Sequence, residues 1–80
     1  MKIPAIKKLI ETHTLIELLK AETQLMEGEL PSIMVEGDDE GEQLTHIIAA
    51  MWIMEEIKNR DIDFKEALRE YTKKVRESIN

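Results

Sequence analysis

The feature that most constrains this fold is an apolar run at residues 47–54, which has no polar residue over more than two helical turns. A helix that is apolar on every side needs cover on every side. The run is far shorter than the roughly 20 residues that span a bilayer, so it predicts a central helix and no membrane segment.

The other helices of so short a chain can cover only about two-thirds of such a helix. We therefore expect a homodimer in which Met51, Trp52 or Met54 contributes to the contact, since methionine and tryptophan suit such surfaces. The alternative is that the helix containing this run is simply central and that the loop at residues 29–38 completes its cover within one chain.

Periodicity predicts an all-α fold, a small bundle of three long helices plus a short N-terminal helix, in a single domain at residues 1–80. The expected helices lie at about residues 4–12, 14–27, 39–59 and 63–79. The last three begin at Thr14, Asp39 and Asp63, each followed three residues later by glutamate, as in a capping box. The first two could also be one kinked helix. The apolar stripe expected on helix 2 contains Leu15, Leu18, Leu19, Leu25 and Met26.

One segment does not have a helical pattern. Pro31 and Gly37 bracket three β-prone residues at 33–35. We expect residues 29–38 to lie extended against the bundle, with an irregular path as the alternative.

Charge is distributed unevenly along the chain. The formal net charge is −6, and residues 21–46 contain eight acids and no lysine or arginine. Helix 4 instead has a basic stripe made of Lys65, Arg69, Lys73 and Arg76. This stripe could dock an acidic segment, either residues 36–42 or part of a partner, or contact phosphates, or be ordinary solvated surface. The overall negative charge argues against nucleic acid as a partner.

No motif predicts an enzyme, a cofactor or a metal site. The acidic run at 36–41 imitates the start of an EF-hand loop, but Ile47 occupies the position of the closing glutamate. Glu42 and His46 share a helix face, yet a di-metal bundle needs two Glu-x-x-His pairs. The chain has no cysteine, and lysines interrupt its N-terminal apolar residues, so we expect no signal peptide and a cytoplasmic location.

Three blocks of sequence resemble an uncharacterised family of small bacterial proteins, a domain of unknown function. They are the first nine residues, the block at residues 41–44, and residues 65–79. Members of this family tend to be encoded near thioredoxin-like and peroxiredoxin-like proteins, which implies an accessory role. The expectation is therefore a non-enzymatic interaction or regulatory module with an unidentified protein partner. The alternative is nucleic-acid binding through helix 4.

Overall fold

The computed structural model describes the backbone of residues 1–79 and the side chains of residues 1–77. Its four helices are α1 (Ile3–Thr12), α2 (Leu15–Met26), α3 (Glu40–Arg60) and α4 (Phe64–Ile79). The all-helical prediction is confirmed, but the prediction of three long helices is only partly right. α2 has 12 residues against 10 in α1 and 21 in α3. α2 is short because the chain leaves the helix at Glu27 and reaches a left-handed conformation at Gly28, φ 78°.

The break between α1 and α2 has a specific local cause. His13 and Thr14 both have extended backbone conformations, with ψ of 155° and 164°. The Thr14 hydroxyl accepts a hydrogen bond from the Glu17 backbone N–H at 3.2 Å, and the Glu17 carboxylate accepts one from the Thr14 N–H at 2.8 Å. This complete capping box starts a new helix, so α1 and α2 are two helices and not one kinked helix.

The other two predicted start signals also form. The Asp39 carboxylate accepts from the Glu42 N–H at 2.7 Å, and the Asp63 carboxylate accepts from the Glu66 N–H at 2.8 Å. In a complete capping box the Glu42 side chain would accept from the backbone N–H of Asp39. At α3 it accepts instead from the N–H of Asp38, one residue earlier. Side-chain acceptors therefore set where both helices begin.

Helix α3 lies at the centre, and α1, α2 and α4 each pack against it. Within its apolar run, Ile47, Ala49, Ala50 and Ile53 are fully buried, whereas Ile48 is 40% exposed. α4 packs chiefly on α3, and it also approaches α1 where the Lys7 ammonium lies 5.9 Å from the centre of the Phe64 ring. Most of the cover that the run requires thus comes from the same chain.

The loop before α3 packs on the bundle without forming a strand in the described residues. Val35 is 6% exposed and Met34 80%, and the Gln43 side-chain amide donates to the Val35 carbonyl at 3.0 Å. Gly37 has φ 155°, and a Cβ there would lie 2.8 Å from the backbone nitrogen of Gln43. Glycine therefore lets the loop approach α3 closely.

Among residues 1–79, no helix is long and apolar enough to cross a membrane.

Candidate docking face on helix α4

The four basic residues singled out from the sequence lie on one face of α4. Lys65, Arg69, Lys73 and Arg76 are exposed and follow one another at a spacing of about one helical turn. Together with Leu68 and Thr72 they line a shallow, open groove. We call this surface, residues 65, 68, 69, 72, 73 and 76, the basic face.

The opposite side of α4 fixes the direction in which the basic face points. Ala67 and Tyr71 are buried against the core, and the Tyr71 ring lies 5.5 Å from the Trp52 ring at an angle of 52°. Burial also raises the pKa of the Tyr71 phenol. Because helical side chains three or four residues apart share one side, burying this side of α4 directs the basic face outwards.

An ion pair also joins α4 to α3. The Arg60 guanidinium donates to Glu70 at 2.7 Å and to Glu56 at 3.2 Å. The hydrogen bond to Glu70, and to a smaller extent the one to Glu56, raises the pKa of the Arg60 guanidinium. Arg60, the last residue of α3, therefore links this helix to α4.

The basic face carries positive charge that the rest of the described chain does not pair. In residues 1–77 none of its four cations makes an ion pair. The Thr72 hydroxyl donates to the Leu68 carbonyl at 2.8 Å, so it is satisfied within the helix. The groove thus combines an apolar side chain, a hydroxyl that already donates a hydrogen bond within the helix, and cations without an ion-pair partner in the described residues.

The acidic segment does not reach this face within one chain. The Lys2 ammonium lies 3.6 Å from Asp38 and 3.9 Å from Glu42, and these are the ion pairs of residues 36–42 in the described structure. Residues 36–42 therefore form ion pairs with the N-terminal segment and not with the basic face.

The structure places Met51, Trp52 and Met54 in different surroundings on α3. All three are half-buried against the core. Trp52 packs against Tyr71 of α4 with the two rings tilted, whereas Met54 lines a groove together with Leu15 and Lys58. They do not form one outward patch, and the homodimer stays a prediction.

Sequence reasoning missed the role of His46. This side chain is fully buried, its Nε2 accepts from the Lys2 backbone N–H at 2.9 Å, and its Nδ1 lies 2.7 Å from the Glu36 carbonyl oxygen. These partners assign the proton to Nδ1, which donates to Glu36. His46 thereby joins α3 to the N-terminus and the loop. In the described residues no three His, Asp or Glu side chains are grouped to hold a metal ion.

Fold and surface together define a small four-helix protein with a basic, grooved C-terminal helix. The chain belongs to a family of unknown function, DUF6952, whose model matches residues 1–80. The resemblance noted from the sequence is thereby confirmed. No curated protein and no solved structure matches the chain.

Proposed function

We propose that the protein is a non-enzymatic interaction module that binds an acidic segment of another protein along the basic face of α4. The observation that carries the proposal is the set of four exposed cations on successive turns of one helix, without an ion-pair partner in residues 1–77. Like charges one turn apart repel and destabilise an isolated helix. A partner carboxylate would relieve that repulsion.

The groove indicates what the segment should look like. Leu68 is half-buried between the cations and can contact an apolar side chain, while the satisfied Thr72 hydroxyl demands no polar partner. An amphipathic segment with acids about one turn apart and an apolar residue between them fits this pattern.

We propose no catalytic role because the histidine and carboxylate side chains that could transfer protons make structural hydrogen bonds. His46 is held by two backbone groups, and the carboxylates of Glu17 and Glu42 accept hydrogen bonds at helix starts. These groups support the fold. The family resemblance makes thioredoxin-like and peroxiredoxin-like proteins the first partners to test, and a chain without cysteine would be an accessory to their redox step.

The test uses partner capture followed by measurement with purified proteins. The parent chain is immobilised, incubated with extract of its native host, and each retained protein is identified by mass spectrometry. An identified partner is then purified and titrated against the parent and the double variant Arg69→Gln/Lys73→Gln. We expect the double variant to bind at least tenfold more weakly, and the parent's affinity to fall as salt rises.

The matched control is Lys8→Gln/Lys58→Gln, which removes the same charge from exposed positions outside the basic face. It should bind like the parent. Equal weakening of both variants would show a general charge effect and would contradict docking at this face, as would full binding by the Arg69→Gln/Lys73→Gln variant.

Nucleic-acid binding is the second candidate, because the same four cations could contact phosphates. The net charge of −6 opposes it. Titration with duplex DNA and with single-stranded RNA at two salt concentrations separates the candidates. Salt-dependent binding that the Arg69→Gln/Lys73→Gln variant loses would favour this second candidate.

A further inference from the structure

Helix α2 has a second apolar side that does not contribute to the core. Its buried side consists of Leu18, Ala21 and Leu25, which are at most 6% exposed. A separate set of residues faces solvent, and we call it the outer face of α2. It consists of Leu15, Ile16, Leu19, Thr23 and Met26, whose apolar members are 39%, 79%, 53% and 70% exposed.

The outer face of α2 is suited to an apolar contact that excludes water. Its members follow helical spacing, so they form one continuous stripe, and none of them is charged. The only hydroxyl, on Thr23, donates to the Leu19 carbonyl at 3.1 Å. Covering the stripe would therefore leave no polar side chain without a hydrogen bond.

Charges beside the stripe indicate what covers it. Lys20 lies in α2 and Glu27 caps its C-terminal end, seven residues later, and both are exposed. On a helical projection the two residues fall on the same flank of the stripe. They are separated by about 10 Å along the helix, too far to pair with each other. Neither makes an ion pair in the described part of the chain.

We propose that a second copy of this chain covers the outer face of α2, with the two α2 helices antiparallel about a two-fold axis. In such a pair, each flank of one helix meets the same flank of the other, running in the opposite direction. An axis midway between Lys20 and Glu27 brings each Lys20 against Glu27 of the second copy. The same register places Leu19 beside Met26 of the second copy.

The flank of α2 opposite Lys20 and Glu27 brings like charges together in this arrangement. Glu22 is half-buried there. The two-fold axis brings the two Glu22 carboxylates to the same side, about 4.5 Å apart along the helices. Their repulsion weakens the pair, so removing this charge should strengthen it. The contact surface is one helix wide, which is at the small end of protein interfaces, and the dimer should dissociate on dilution.

The first test is sedimentation velocity over a wide concentration range. The parent should pass from monomer to dimer as concentration rises. Leu19→Glu/Met26→Glu should remain monomeric with unchanged helical circular dichroism, because both positions are exposed in the monomer. Met34→Glu, an 80% exposed control in the loop, should dimerise like the parent. A parent that stays monomeric at the highest concentration overturns the proposal.

The second test establishes the register by exchanging charges. Lys20→Glu and Glu27→Lys should each raise the dimer dissociation constant about tenfold, since each places two pairs of like charges in contact. The double exchange Lys20→Glu/Glu27→Lys should restore it to within about threefold of the parent, and Glu22→Gln should lower it. A dimer that the Leu19→Glu/Met26→Glu variant retains, or that the double exchange fails to restore, overturns the antiparallel α2 pairing.

Discussion

His46 offers the sharpest test of how this small core is held together. The fully buried ring makes two hydrogen bonds, one to the Lys2 N–H and one to the Glu36 carbonyl. His46→Leu removes both and leaves these backbone groups without a partner. At about 1–2 kcal/mol for each group, the free energy of unfolding should fall by about 2–4 kcal/mol. A domain of this size has about 4–12 kcal/mol in total.

Two further substitutions separate the contributions of the two hydrogen bonds. The side-chain nitrogen of asparagine lies near the position of Nδ1, so His46→Asn can still donate to Glu36. The side-chain oxygen of glutamine lies near the position of Nε2, so His46→Gln can still accept from Lys2. Each should lose about half as much stability as His46→Leu.

The assay is urea unfolding followed by the fluorescence of Trp52, the single tryptophan. The control is His13→Leu, since His13 is only half-buried and its nearest ion-pair partner, Glu17, is 3.8 Å away. That change should cost less than about 1 kcal/mol. A His46→Leu protein as stable as the parent, or no less stable than the His13→Leu control, would refute the assigned role.

Three further predictions concern the helix ends and their connections. Gly37→Ala should destabilise the protein more than Gly28→Ala in thermal unfolding, because an added Cβ contacts backbone at Gly37 and meets nothing within 4 Å at Gly28. The hydrogen bond from the Thr14 N–H lowers the pKa of Glu17, so the stability it contributes is present above pH of about 4.5 and is lost as pH falls through its folded pKa. Glu17→Gln should therefore flatten the acid side of a stability–pH profile. Arg60→Ala should lower the free energy of unfolding only slightly in urea unfolding, and Glu70→Ala by a similar amount, because solvent screens an ion pair between partly exposed side chains.

The helix starts could be predicted from sequence because they depend on neighbouring residues. Thr14, Asp39 and Asp63 each accept a hydrogen bond from the backbone N–H three residues later, as the spacing to glutamate indicates. The basic face of α4 was also predictable in outline, since its spacing alone places its residues together. Sequence could not show that the acidic segment pairs with Lys2. That contact depends on where the loop packs.

The two sides of α2 could not be separated from sequence. Leu15, Leu18, Leu19 and Leu25 form one broad apolar stripe on a helical projection, and nothing local shows where α3 lies against it. The structure buries Leu18 and Leu25 and leaves Leu15 and Leu19 exposed. His46 was missed for a related reason, because its partners are 44 and 10 residues away in the chain.

The one-sided packing of α4 has a consequence for its dynamics. Because α4 rests chiefly on α3, it can open locally while α1 and α2 keep their packing on α3. Its backbone amides should then exchange with solvent faster than those of α3. The four cations of the basic face share one side only while α4 is helical, so a ligand on this face would bind the folded helix and would shift that local equilibrium towards it. Slower amide exchange confined to α4 would thus report occupancy of the face, even where no other part of the molecule changes.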